Sequence, residues 1–361
     1  MRHVAKFAAA MGVVALVAAG CGRPDNATSP SGGGSASGGG ASVKACMVLD
    51  TGGVDDKSFN QSSWAGMQAA KKDNPNLDIS YVASNSSNDY TPNLTQETNA
   101  GCDTVLAVGG LMAANVEKIA KANPKVHYAE IDNPSTGDNV YGIQYNTAQG
   151  GFLGGYLAAA MTKTGVVGTW GGLNIGPVTI YMDGFWEGVQ YFNKQNNKSV
   201  KVLGWDENKP KGGTFAGSFT DQNKGKQITL AMAQQGADIV FPVAGSSGLG
   251  AGAAAASSGG KLNLIWVDTD GCVSAAQYCK YFISSVTKGL TASVQDYLKQ
   301  VSAGTFPSGN YVGTLQNDGT GLAPFHDWDS KVPADVKSAL TQITSDIESG
   351  KIKITSPSQP K

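Results

Sequence analysis

The chain has 361 residues, enough for one or two domains, with 41% hydrophobic and 15% charged residues. Its 27 basic and 28 acidic residues leave a net charge of -1. Binding of nucleic acid needs a concentrated basic surface, so that class of partner is excluded.

Arg2, His3 and Lys6 precede an apolar stretch over residues 7–19, followed by Gly20 and Cys21. This reads as a signal peptide over 1–20: a charged start, an apolar segment too short to span a bilayer, and a small-residue cleavage site. Cysteine directly after Ala-Ala-Gly predicts a bacterial lipoprotein, with Cys21 lipidated as the first mature residue; Ala18 stands where leucine or valine is commoner. Loss of Arg2 and Lys6 with the leader would move the net charge from -1 to -3. Residues 21–42 are rich in Gly, Ser and Ala without apolar periodicity. They are expected to form a flexible tether with a reach of about 25 Å. No second membrane-spanning stretch follows.

Residues 43–66 read VKACMVLDTGGVDDKSFNQSSWAG. The apolar run at its start predicts a buried strand ending at Asp50. Gly52 and Gly53 break it, and Asp55, Asp56 and Ser58 are candidate N-caps for a helix running to about Lys72. A strand, a polar glycine loop and a helix would deliver Asp50, Phe59 and Asn60 to the carboxyl end of a sheet, where open α/β sheets bind ligands. An ionised Asp50 only accepts hydrogen bonds, whereas Asn60 donates and accepts. Phe59 offers a flat face for a base. The alternative is that Asp50 merely ends a strand and Phe59 is core.

Strands are predicted over 77–83, 103–108, 125–131 and 139–144, with helices over 90–100 and 111–121 between them. The buried helix 146–161 opens a second run of the same kind. Strands over 165–170, 200–205, 238–243, 262–267 and 281–286 alternate there with helices over 178–193, 220–235, 249–257 and 290–301, and a last helix covers 334–349. Alternation with short connections predicts doubly wound parallel sheets, and its recurrence predicts two α/β lobes facing a cleft. Polar or glycine residues stand at five strand ends: Asp50, Asp132, Gly245, Asp268 and Lys288.

Cys46, Cys102, Cys272 and Cys279 allow two disulfides in three pairings. The short loop favours Cys272 with Cys279, leaving Cys46 with Cys102; free buried thiols are the alternative. His127 and His326 show no metal-ligand spacing, so no metal is expected. The run Gly245-Ser-Ser-Gly248-Leu-Gly250 resembles a dinucleotide loop, but its GxxGxG order is wrong. No GxSxG elbow occurs. Neither an enzyme nor a cofactor is therefore expected.

The run from Asp50 to Gly66, and the segment GPVTIYMDGFWEG over 176–188, resemble the signature of the basic membrane protein family. These are bacterial lipoproteins similar to the purine nucleoside receptor, the substrate-binding subunit of an ABC importer. The resemblance implies a type I periplasmic-binding-protein fold, in which the chain crosses between lobes three times. Crossings are placed near Tyr145, near Asp268 to Asp270 and near Gly309 to Gly313. Lobe 1 would then comprise 43–145 with about 270–310, and lobe 2 would comprise 146–269 with about 311–361.

The resemblance also implies a site. Asp50 and Asp132 would bind polar edges of a nucleoside and Phe59 would stack on its base. Asp268 and Lys288 would hold the ribose hydroxyls, and Gly245 would let the backbone approach. Asn60 and Ser58 join the set from the first loop. Phe241 and Trp170 are candidates for a second stacking ring, because Ala244 occupies a position where some relatives carry an aromatic; Phe185 is read as core, with the cleft as the alternative. A monomer anchored on the outer face of the cell membrane, with an ABC permease as partner, is the implied setting. A sugar or signal-molecule binder of the same fold is the alternative.

Overall fold

The computed structural model of the chain describes residues 42–360. The expected leader, Cys21 and all of the tether except Ser42 lie outside the described residues. Among the described residues, no helix is long and apolar enough to cross a membrane.

The first apolar run forms strand β1 (Val43–Leu49), and the polar loop after it leads into helix α1 (Phe59–Asp73). The carboxylate of Asp56 accepts hydrogen bonds from the backbone N–H groups of Ser58, Asn60 and Gln61 at 3.0, 2.9 and 3.1 Å. It thereby satisfies donors that the first helical turn leaves free. The alternation continues through β2 (Leu77–Ala83), α2 (Tyr90–Asn99), β3 (Thr104–Val108), α3 (Ala113–Ala122), β4 (His127–Ile131) and β5 (Val140–Tyr145).

The second run comprises α4 (Ala148–Met161), β6 (Val166–Gly171), α5 (Gly176–Asn196), β7 (Lys201–Leu203), α6 (Gln222–Gln234), β8 (Ile239–Val243), α7 (Gly248–Ser257) and β9 (Asn263–Asp268). After it come α8 (Gly271–Ser274), β10 (Phe282–Lys288), α9 (Leu290–Ser302), β11 (Gly309–Gly313), β12 (Thr320–Leu322) and α10 (Ala334–Glu348).

Among the described residues the strands form two six-stranded sheets, ordered β11-β5-β4-β3-β1-β2 and β12-β10-β9-β8-β6-β7. The second order is the first with β1–β5 each advanced by five and β12 in place of the edge strand β11, so the lobes share one topology. All pairings are parallel except β10 with β12. Each sheet buries both faces, with separate apolar clusters above and below it. In lobe 2, α4 and α5 pack at backbone distance. A Cβ on Gly155 would lie 2.0 Å from the carbonyl oxygen of Phe185, and one on Gly184 would lie 2.1 Å from that of Ala148. Gly184 and Gly188 of the 176–188 segment serve this close approach.

The chain leaves lobe 1 after Tyr145. The middle return is where the sequence reading needs correction. It was placed near Asp268 to Asp270, but β10 pairs with β9 in the second sheet. Residues 271–288 therefore stay in lobe 2, and the chain returns only at Gly289. Helix α9 then packs on α1, β11 joins the first sheet beside β5, and the chain crosses again after Gly313. The three crossings lie together: Asn146 N–H donates to the Gly313 carbonyl at 2.8 Å, and Gly289 N–H to that of Gly319 at 2.9 Å. Disulfides join Cys46 to Cys102 and Cys272 to Cys279. Two groups of possible metal donors, around Cys46 and around Cys272, each contain disulfide-bonded sulfur, which is no thiolate ligand.

Candidate functional site: the interlobe cleft

The carboxyl ends of both sheets open onto one cleft between the lobes, whose empty space, open solvent included, is about 550 Å³. Asp50 lies on its wall, only 7% exposed. The amide of Asn60 donates to Asp50 Oδ1 at 2.9 Å. Gly109 leaves room for this carboxylate, since a Cβ there would sit 2.4 Å from Asp50 Oδ2. Burial pushes the Asp50 carboxyl up to about 8; Asn60 pulls it back, while Asp56 and Asp132 push the same way. Burial therefore favours the protonated form of Asp50, which donates as well as accepts, unlike the acceptor-only group read from sequence. Asp56, beneath the loop, is raised to about 6, chiefly by burial.

Phe59 lines the cleft, half-buried, whereas Asn60 is 1% exposed and sits behind Asp50. Asn60 thus orients the carboxyl and is not part of the cleft wall. Ser58 is fully buried and does not line the cleft either. Its hydroxyl donates across the cleft to Asp268 Oδ2 at 2.6 Å. The same hydroxyl reaches the Val267 carbonyl at 3.4 Å, and the indole of Trp266 donates to the Lys57 carbonyl at 3.3 Å, so both residues hold the first loop against lobe 2.

Asp132 and Asp268 stand one after β4 and the other at the end of β9, which are equivalent strands of the two sheets. Both have left-handed backbones, with φ of 76° and 65°. Asp and Asn tolerate this region better than most residues, and it turns their carboxylates into the gap. Asp132 binds the ammonium of Lys288 at 2.6 and 2.7 Å. Burial pushes its carboxyl up and Lys288 pulls it back. Asp268 accepts from Ser58 and from the Tyr181 hydroxyl, the latter at 2.7 Å. The Lys288 ammonium also lies 4.7 Å from the centre of the Phe59 ring and 5.1 Å from that of Tyr145. Gly245, with φ of 52°, lines the far wall beside Val243 and Ala244.

The cleft excludes Phe241 and Trp170, the candidates for the second ring, and Phe185 as well. Phe185 and Phe241 are fully buried and pack on each other, 5.4 Å between ring centres. Trp170 is fully buried, its indole bonded to Thr229 at 3.1 Å. Each sits on an element interior, where an aromatic fills core as readily as cleft. Two unpredicted rings reach the cleft instead: Tyr181, on the face of α5 four residues before Phe185, and Phe219, in the loop before α6. Tyr181 lay within the segment already singled out. Phe219 shares its loop with Trp205 and Phe215, and nothing in its spacing marks it out from them.

Two facing α/β lobes with a polar and aromatic hollow at their strand ends define a ligand-binding protein of the periplasmic type. The family model for "ABC transporter substrate-binding protein PnrA-like" matches residues 43–347, and the chain belongs to that family. It is a substrate-binding protein, not an enzyme. It is 32% identical over 331 residues, 87% of this chain and 88% of its counterpart, to a CD4+ T-cell-stimulating antigen of Listeria monocytogenes. It is 29% identical over 87% of its length, and 89% of the relative's, to an ABC transporter nucleoside-binding protein, BmpA, of Lactococcus lactis. Among solved structures it resembles a solute-binding protein of an ABC transporter system from Aeropyrum pernix. There the TM-score is 0.78, with 24% identity, covering 87% of this chain and 94% of the other.

Proposed function

We propose that this substrate-binding protein captures nucleosides, with purines preferred, and presents them to an ABC permease from the outer face of the cell membrane, anchored as a monomer through Cys21. One observation carries the reading: a ring from each lobe, Phe59 and Phe219, lines the same cleft as a buried polar set suited to a diol. The base lies between or against these rings. Asp50, neutral at pH 7 and able to both donate and accept, meets a heteroaromatic edge. Asp268 and Lys288 hold the two adjacent ribose hydroxyls, which displace the Ser58 or Asp132 contacts or share them. The nucleoside-binding relative from Lactococcus supports the same ligand class.

A sugar binder is the second reading, because Asp132, Asp268 and Lys288 would suit a diol without any base. A thermal-shift screen separates the two, since a ligand that binds the native state raises its melting temperature. Melting temperature is expected to rise with guanosine, adenosine or inosine and to stay put with ribose or galactose. Asp268→Ala is expected to weaken nucleoside binding by roughly ten-fold or more, the loss of a charged hydrogen bond worth about 1.5–3 kcal/mol. Unchanged affinity in that variant would remove the ribose role.

A further inference from the structure

The cleft does not end at the Lys288–Asp132 pair. A second hollow, about 510 Å³ with open solvent included, shares Asp132, Pro177 and Lys288 with the first and extends to the hinge. Gln144 and Thr147, on either side of the first crossing, form one wall; Ser358 and Pro360, beyond α10, form another. Gln144 Oε1 and Thr147 Oγ1 are both buried without a hydrogen-bond partner among the described residues, and Thr147 is 1% exposed. Buried polar atoms in folded proteins are nearly always paired. Two bare ones lining a single hollow call for a partner from outside the chain.

The outer wall is firmly built. Thr355 N–H donates to Glu187 Oε1 at 2.9 Å, and the Ser356 hydroxyl donates to the buried Asp183. The Ser358 hydroxyl pairs with that of Thr179 at 2.9 Å, and the Gln359 amide donates to Asn146 Oδ1 at 3.2 Å. Residues 355–359 thus run back along α5 turn by turn and finish on the hinge.

We infer that this hinge-side hollow is a subsite for a hydroxyl group of the bound ligand, and that residues 356–360 form part of the binding site. The inference rests on the nucleoside reading. With the base against Phe59 and Phe219 and the 2′,3′-diol on Asp268 and Lys288, the group that reaches past Lys288 is the hydroxymethyl on C4′. A hydroxyl there would donate to the Gln144 carbonyl oxygen and exchange a hydrogen bond with Thr147. A 5′-phosphate would bring its charge against Asp132, with Lys288 already paired. The subsite therefore admits a nucleoside and disfavours its nucleotide.

The test measures by calorimetry the affinity of the purified protein for its tightest purine nucleoside and for the 5′-deoxy form of that nucleoside. Wild type is expected to bind the 5′-deoxy form about ten-fold more weakly. In Thr147→Val the parent nucleoside weakens, the 5′-deoxy form does not, and the gap falls below about three-fold. Ser358→Ala, on the half-buried outer wall, is expected to narrow the gap less. Equal affinities in wild type, or a gap that neither variant alters, would overturn the subsite while leaving the nucleoside reading intact. Failure of any nucleoside to bind would overturn both. If Thr147→Val does not fold, the wild-type pair and Ser358→Ala decide the matter.

Discussion

Asp132 and Asp268 occupy matching places in the two sheets and share a left-handed backbone, yet they meet opposite partners. Asp132, on lobe 1, faces the Lys288 ammonium; Asp268, on lobe 2, faces the hydroxyls of Ser58 and Tyr181. The strands next to them differ in the same sense, since β5 ends in Tyr145 where its counterpart β10 ends in Lys288. Duplicated topology thus sets where a side chain is delivered, and single substitutions at strand ends set what chemistry arrives. Here one lobe supplies the cation for the other lobe's carboxylate, so the pair also joins the halves.

Removing that cation should have the largest effect. Lys288→Met would leave Asp132 buried without its counter-charge, and breaking such a pair typically costs about 3–5 kcal/mol. Chemical denaturation should show a clear drop in stability and calorimetry a loss of ligand. A variant as stable as wild type would mean that the two aspartates are more alike than their partners suggest.

A pH series sharpens the contrast at Asp50, the third carboxyl of the cleft. Its folded pKa of about 8 lies above the ordinary carboxylate value, so the folded state holds the proton more tightly than the unfolded chain. Stability from this group is fully present below about pH 4 and is lost as pH rises through about 8. Asp56 and Glu130, raised to about 6 and about 7 by burial, slope the same way over narrower windows. Melting temperature should therefore fall as pH increases from 5 to 8, and Asp50→Asn should flatten the last part of that fall. Nucleoside affinity should decline above pH 8 in wild type and not in Asp50→Asn. A wild-type profile flat across this range would show that Asp50 is ionised and acts only as an acceptor.

The smallest change is expected for Ser58→Ala, which removes one of the two donors on Asp268 and a bond between the lobes. A single hydrogen bond contributes about 1 kcal/mol, roughly five-fold in the ratio of closed to open forms. Small-angle scattering without ligand should detect a more open average. No difference from wild type would assign closure to the Lys288–Asp132 pair and the Trp266 contact alone.

Most of the α/β alternation was legible because each core strand is an apolar run bounded by glycine or polar residues. VKACMVL, TVLAV and IVFPV announce themselves, as do the carboxyls that follow some of them. The edge strands β11 (GNYVG) and β12 (TGL) were not, since an edge strand needs no apolar run and these carry glycine and polar residues. Missing them also hid the true middle crossing, which depends on which sheet edge accepts the next strand.

Local pattern alone thus determined the succession of strands and helices, the twofold repetition of the motif, and the strand-end positions of Asp50, Asp132, Gly245, Asp268 and Lys288. Only the tertiary structure decided which rings face the cleft. Phe185 and Tyr181 lie one turn apart on α5 and both pack against Phe241, yet only Tyr181 also lines the cleft, where its hydroxyl meets Asp268. It also decided the charge of Asp50, because a carboxyl's protonation follows from how much water its neighbours exclude, and those neighbours come from parts of the chain that spacing cannot bring together.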